Sequence, residues 1–243
     1  MKPTDIINQQ RSRNRQTINN WERSKPHRNR IYDLLSSHSG SALLRCFGAG
    51  NCNDLDLHAL CEHYLELELV DIDVEAMESA LTRQDIRHRS NICLIGQIDL
   101  STGEFSSQRS ADVTVSSCLF TQLLEQQAEH VVRDSPFVAD YRQSHFDMLI
   151  NTTKPGGTIY FITDIVSDLT ARQLPEIPST QLNGFLSKSV EKRNFFTGTN
   201  PFAIKQQLDA DLRLAHSNLL DAWTWKLGPR TFAVYGFAIT LRD

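Results

Sequence analysis

LLRCFGAGNCNDLDLHALCEHYLELELVDID, residues 43–73, decides the fold. It opens on an apolar run, Leu43, Leu44, Cys46 and Phe47, that predicts a buried strand. Gly48, Ala49 and Gly50 follow as a turn, where glycine lets the backbone bend sharply and approach a ligand with no Cβ in the way. A helix is expected from about Asn53 to His63, then a second apolar strand, Leu67 to Val70, ending in Asp71. Strand, glycine turn, helix, strand and terminal acid make the front half of a nucleotide-binding βαβ unit. Asp71 stands at the roughly 20-residue spacing from the turn that sets an acid against ribose hydroxyls. An adenosine-bearing ligand is the expectation.

Ahead of this unit, residues 1 to about 20 are polar and weakly periodic and read as a loose tail. Trp21 to Ser37 suits one or two short helices, and Ser37 to Gly40 is a break before the first strand. Beyond it, Val74 to Arg83 reads as a helix with Asp73 as N-cap. Strands are expected at Ile92 to Ile98, Asp112 to Ser116 and Thr158 to Thr163, with helices at Leu119 to His130 and Asp140 to Thr153. Residues 167–200, with Pro175, Pro178, Gly184 and Gly198, read as an irregular insertion that shapes a substrate pocket. A helix from Pro201 to Asp221 precedes two strands, Ala222 to Leu227 and Thr231 to Thr240. Gly228, Pro229 and Arg230 join them, too short a link for a helical crossover, so the pair must be antiparallel.

Composition narrows the classes. With 243 residues, a net charge of −4 and a pI near 6.1, the chain lacks the basic balance of a general phosphate binder. The first thirty residues nonetheless carry Arg11, Arg13, Arg15, Arg23, Lys25, Arg28 and Arg30 against Asp5 and Glu22. That segment reads either as a solvated lead-in or as a basic arm for RNA or an anionic substrate. Five cysteines at irregular spacing offer neither a CxxC pair nor a disulfide framework, and no metal is expected. No apolar run approaches the roughly 20 residues that span a bilayer, and the N-terminal segment lacks the apolar core of a secretory signal. A cytoplasmic protein with no membrane association is expected.

Five parallel strands closed by an antiparallel hairpin resemble the Rossmann-like class I fold of S-adenosylmethionine-dependent methyltransferases. The resemblance implies a mostly parallel seven-stranded α/β sheet of order 3-2-1-4-5-7-6, over residues 41–243, behind a helical cap at 1–40. PheGlyAlaGlyAsnCysAsnAsp, residues 47–54, resembles the family's D/E-x-G-x-G-x-G motif, with Cys46 in the acidic position and Cys52 in that of the third glycine. ValAspIleAsp at 70–73 and GlnIleAspLeu at 97–100 resemble the second and third motifs, and Lys154-Pro155-Gly156-Gly157 the turn into strand five. The resemblance implies a donor site of Phe47, Gly48, Ala49, Gly50, Asn53, Asp54, Asp71, Ile72, Asp99, Leu100, Ser116 and Ser117. In it Asp71 binds the ribose, Asp99 meets the adenine amino group and Asp54 substitutes for the missing acid. Cys118, with no proline before it, reads as a packing cysteine.

Transfer from a sulfonium donor, leaving S-adenosylhomocysteine, needs positioning and, for a protic acceptor, a base. His145 and His38 are the candidate bases. Lys188, Lys192, Arg193, Phe195 and Phe196 are candidate substrate contacts within 167–200. Methyl transfer to an O or N atom of a small molecule is the expected function, and the sequence leaves the oligomeric state open. The rivals are a nicotinamide-dependent oxidoreductase, an aminopropyltransferase on the same fold, and a non-catalytic RNA-binding or regulatory protein on the same scaffold.

Overall fold

A computed structural model describes residues 3–38, 42–127, 131–133 and 135–243. Two helices lead in, α1 (Pro3–Thr17) and α2 (Lys25–Leu35). The organising unit follows as β1 (Leu43–Phe47), α3 (Leu57–His63) and β2 (Glu66–Val70). Next come α4 (Val74–Arg83), β3 (Ile92–Ile95), β4 (Ala111–Ser117), α5 (Phe120–Gln126), α6 (Pro136–Asn151) and β5 (Thr153–Ser167). The chain ends with α7 (Ser179–Glu191), α8 (Pro201–Asp209), β6 (Leu214–Leu219), β7 (Trp223–Leu227) and β8 (Arg230–Leu241).

These strands form one eight-stranded sheet of order β3-β2-β1-β4-β5-β8-β6, with β7 also paired to β8. β1 to β5 are mutually parallel, and β8 runs antiparallel to β5, β6 and β7. Helices cover both faces, as a parallel sheet buried on two sides requires. Successive residues of β5 feed the two layers in turn: Ile159 and Phe161 pack with α5, α6, α7 and α8, Tyr160 and Ile162 with α2, α3 and α4. The carboxyl ends of the parallel strands thus meet at one edge of the molecule, where α/β sheets hold their ligands.

Several elements depart from the sequence reading. The loose tail is the helix α1. Residues 167–200 are not irregular throughout but hold α7, with Pro178 as its N-cap. The helix expected to run to Asp221 stops at Asp209, and β6 occupies part of the remainder. β6 therefore supplies the strand beside β8, and the sheet gains β7 as an eighth strand. α3 starts at Leu57 because the Asp56 carboxylate caps it, accepting from Ala59 N at 3.1 Å. β3 ends at Ile95, and α6 begins four residues ahead of expectation at Pro136. Lys154 to Gly157 belong to the start of β5, where the register against β4 shifts between Ala111 and Val113. The ends of two expected features, Gly40 and His130, lie outside the described residues. Among the described residues no helix is long and apolar enough to cross a membrane.

Candidate active site

A cleft of about 350 Å³ opens at the carboxyl ends of β1, β2, β4 and β5. Its floor is the turn after β1. Gly48 and Gly50 hold φ of 72° and 44°, the left-handed region that glycine enters without cost. A Cβ on Gly48 would meet Leu119 Cδ1 at 2.8 Å, so the turn and the start of α5 touch only because the residue is glycine. Cys52 also sits at positive φ, 46°, which explains why the motif it resembles carries glycine there.

Asp71 locks this turn to β2. Its Oδ2 accepts from Gly50 N at 2.9 Å and its Oδ1 from Asp73 N at 2.8 Å. Asp73 in turn caps α4 through Ala76 N at 3.3 Å. Burial raises the Asp71 carboxyl to about 6 against the pull of these backbone donors, and burial raises Asp164, near the end of β5, to about 6 as well. An ordinary aspartate titrates near 4. The folded chain therefore binds protons at both sites more tightly than the unfolded chain. Their contribution to stability is whole below about pH 4 and is lost as pH rises through about 6. We expect Asp164→Asn to flatten the difference in urea-unfolding free energy between pH 5 and pH 8, by about 1.4 kcal/mol. A difference equal to that of the parent protein would rule this out.

Most of the expected donor residues come together here. Gly48, Ala49, Gly50, Asn53, Asp54, Asp71, Ile72, Asp99, Leu100 and Ser117 all line the cleft. Desolvation lifts the Asp54 carboxyl above its ordinary range, the Ser117 hydroxyl beside it working in the opposite direction. Asp99 also holds its own turn, accepting at Oδ1 from Ser101 N and Ser101 Oγ. Phe47 and Ser116 do not reach the cleft. Phe47 packs edge-on against Phe105, and Ser116 Oγ lies 3.0 Å from His145 Nε2 beneath the floor. His145 is itself buried, with its pKa lowered to about 4, and does not line the cleft. His38 meets the Tyr160 hydroxyl through Nε2 at 2.8 Å and likewise stands apart. Neither histidine lines the cleft. Cys46 and Cys118 are buried, and burial pushes both thiols up. No residue of 167–200 is among those lining the cleft. Phe195 is a core side chain there, and Phe196 faces Phe232 at 6.4 Å between centroids.

One cover of the cleft is α1, which contributes Gln10, Arg13, Asn14, Gln16 and Thr17 to its lining. Polar contacts seat it. Asn14 Nδ2 donates to Asp73 Oδ2 at 2.8 Å, Asn51 Nδ2 to Asn14 O at 2.6 Å, and Asn53 Nδ2 to Thr17 O at 2.8 Å. Arg13 crosses to Glu125 of α5 at 2.7 Å, and Arg11 pairs with Glu75 at 3.1 Å. Farther along, Arg28 is buried over the Trp21 ring and donates to Trp21 O and Asn53 O, while Arg23 donates to Gly228 O. Much of the basic N-terminal segment is thus folded back and engaged. Because Arg13 and Glu125 are partly solvated, their pairing is weak and screened by salt. We expect Glu125→Gln to raise ligand association and dissociation rates together, by about threefold or more, with little change in affinity. Raising salt from about 0.05 to 0.5 M should reproduce the effect in the parent and not in the variant, as read by stopped-flow fluorescence. Equal salt responses in the two would show that the Arg13–Glu125 pair does not hold α1 over the cleft.

The far wall comes from the terminal hairpin: Trp225 and Leu227 of β7 and Phe232 of β8. Trp225 pairs with Phe232 across the hairpin, rings 5.6 Å apart, and stacks on His27 of α2 at 4.8 Å and 20°. His27 Nδ1 accepts from Trp223 Nε1 at 2.8 Å, and burial keeps the ring neutral, its pKa lowered to about 3. Phe232 lies opposite Ser167 of β5, three residues beyond Asp164, and Asp164 lines the same cleft as the aromatic wall.

Comparison with known proteins places this geometry. No protein-family profile matches the chain, and no curated protein matches its sequence. Solved structures do match. The N-methyltransferase NodS from Bradyrhizobium japonicum superposes with a TM-score of 0.55 at 13% identity, over 93% of this chain and 98% of its own. YcgJ from Bacillus subtilis gives 0.56 at 9% identity, over 89% and 99%. A SAM-dependent methyltransferase from Methanosarcina mazei gives 0.53 at 12% identity, over 87% and 98%. The chain has the class I methyltransferase fold.

Sequence reasoning missed the residues that this fold brings in from outside its motifs. Asn14 and Arg13 come from a helix without an apolar stripe, and Trp225 and Phe232 from a hairpin read only for its topology. Asp164 carried the one available signal, an acid directly after the apolar run of β5, the same pattern that singled out Asp71 after β2.

Proposed function

We propose that this chain is an S-adenosylmethionine-dependent methyltransferase acting on an O or N atom of a small-molecule acceptor. The observation that carries the reading is the Asp71 carboxylate, bonded to Gly50 N within a cleft at the carboxyl ends of the strands. Such a carboxylate keeps lone pairs for ribose hydroxyls after accepting two backbone N–H groups. The remaining lining suits the rest of the donor: Ile72, Asp99 and Leu100 around an adenine, Asp54 toward an ammonium group. When bound, the donor supplies a methyl group on a positively charged sulfur, already a strong electrophile. The protein's work is to hold it in line with the acceptor and keep water away. In this reading residues 1–40 act as the cap and 41–243 as the donor-binding domain.

Calorimetric titration with S-adenosylmethionine and S-adenosylhomocysteine, with NADPH as control, tests the proposal. Micromolar binding of the sulfur ligands and none of the nicotinamide is expected. Binding of neither would mean that Cys46 and Cys52 mark an altered site and would favour the non-catalytic scaffold. Binding of NADPH alone would favour the oxidoreductase.

A further inference from the structure

The cleft continues past the donor residues, and its far end has a chemistry of its own. Asp71 stands just after β2 and Asp164 three residues before the end of β5, past its last pairing with β4, with β1 and β4 between the two strands. Three strand spacings, about 14 Å, separate the two along the sheet. Asp164 is buried, accepts from Thr121 Oγ1 at 2.6 Å through Oδ1 alone, and lines the cleft at an irregularity in the β5–β8 register. The same cleft is lined by the Trp225–Phe232 wall, backed by His27. Trp225 is only 9% exposed, its ring in contact with those of His27 and Phe232.

Charge then selects the ligand. The lining holds Asp54, Asp71, Asp99, Asp164 and Glu125, while its one cationic side chain, Arg13, is already paired with Glu125. An anionic acceptor would enter without a counter-charge. A carboxylate and aromatic faces in one cleft suit a cation, through Coulomb attraction and the ring quadrupole together. We propose that the acceptor is a primary or secondary amine carried on an apolar or aromatic group, and that Asp164 receives the proton it loses. This rests on the donor reading above. The amine binds as its ammonium form and passes one proton to the Asp164 carboxylate. The freed nitrogen lone pair forms the N–C bond to the donor methyl as the C–S bond breaks, its electron pair staying on sulfur. The methylated nitrogen carries away the charge the sulfonium brought, and Asp164 returns its proton to solvent.

The test uses the full chain saturated with S-adenosylhomocysteine, whose affinity is measured first. Benzylamine, benzyl alcohol and benzoate, matched in shape, are then titrated by tryptophan fluorescence and calorimetry. Benzylamine should bind at least tenfold more tightly than benzyl alcohol, and benzoate more weakly than either. Asp164→Asn should cancel the preference for the amine while leaving affinity for S-adenosylhomocysteine within about twofold. Trp225→Leu should weaken amine and alcohol alike. Equal binding of amine and alcohol, a preference that survives Asp164→Asn, or no binding of any of the three would overturn the proposal while the donor reading stands. Failure to bind S-adenosylhomocysteine would remove both.

Discussion

Asp71→Ala should weaken binding of S-adenosylhomocysteine by about 100-fold or more, roughly 2.7 kcal/mol. Two losses add. The first is the acceptor for ribose hydroxyls, proposed from the position of the carboxylate at the cleft. The second is structural: Gly50 N and Asp73 N both donate to this carboxylate, and alanine leaves each without its acceptor in a buried place. An orphaned buried N–H costs about 1–3 kcal/mol, so the turn that shapes the donor site should loosen and the melting temperature should fall. Asp71→Asn separates the two roles. Its single carbonyl oxygen serves one N–H and its amide must point a donor at the other, so stability recovers in part while ribose binding stays impaired. Calorimetry gives the affinities and thermal unfolding the stability. Unchanged affinity in the alanine variant would refute the placement of the donor.

How far the sequence reveals this site follows from what each part buries. β1, the glycine turn, β2 and the Asp73 cap declare themselves because apolar runs, glycines and an acid at a strand end are local signals. The same holds for the terminal hairpin, since Gly228 to Arg230 leave no room for a crossover. α1 stays hidden because its seat is polar: Asn14, Arg13 and Thr17 hold it by hydrogen bonds and charge, so it shows no apolar stripe to read. β6 is hidden for another reason. As an edge strand it turns only Leu214 and Ser217 inward, too few to display a period of two, and the helical pattern of α8 runs into it unbroken. α7 is masked by its own punctuation, with Pro178 at its N-cap and Gly184 in its interior, although Leu182 and Leu186 keep the four-residue spacing of a buried face. The histidines lie away from the cleft on tertiary grounds. Nothing local says that His145 would turn beneath β4 to meet Ser116.

Arg45 is the sharpest case of a residue whose importance is tertiary, and its removal should cost more than any other single change considered. It interrupts the apolar run of β1, the strand between β2 and β4, and is wholly buried. Its guanidinium is satisfied on every side. Nε donates to Glu68 Oε2 at 2.7 Å, its register partner on β2, and Nη1 to Thr152 O at 2.6 Å beyond the end of α6. Nη2 donates to Ser107 Oγ at 3.0 Å and Arg109 O at 2.7 Å, and the group lies over the Phe105 ring at 5.6 Å. One side chain thus ties the sheet, the α6–β5 corner and the loop before β4. Arg45→Ala strands a buried carboxylate at Glu68 and takes the guanidinium donors from the carbonyls of Thr152 and Arg109, and should destabilise the fold by about 3–5 kcal/mol in urea titration. The pair itself need not be stabilising, because desolvating two charges offsets most of their attraction. Arg45→Met combined with Glu68→Leu should therefore recover at least half of the loss, short of full recovery because the Arg109 carbonyl still loses its donor and Thr152 O keeps only Ala111 N. A double variant as unstable as Arg45→Ala would show that the carbonyl bonds, and not the stranded carboxylate, set the cost. A single variant within about 1 kcal/mol of the parent would show that the site accepts water and that Arg45 does not hold the corner together.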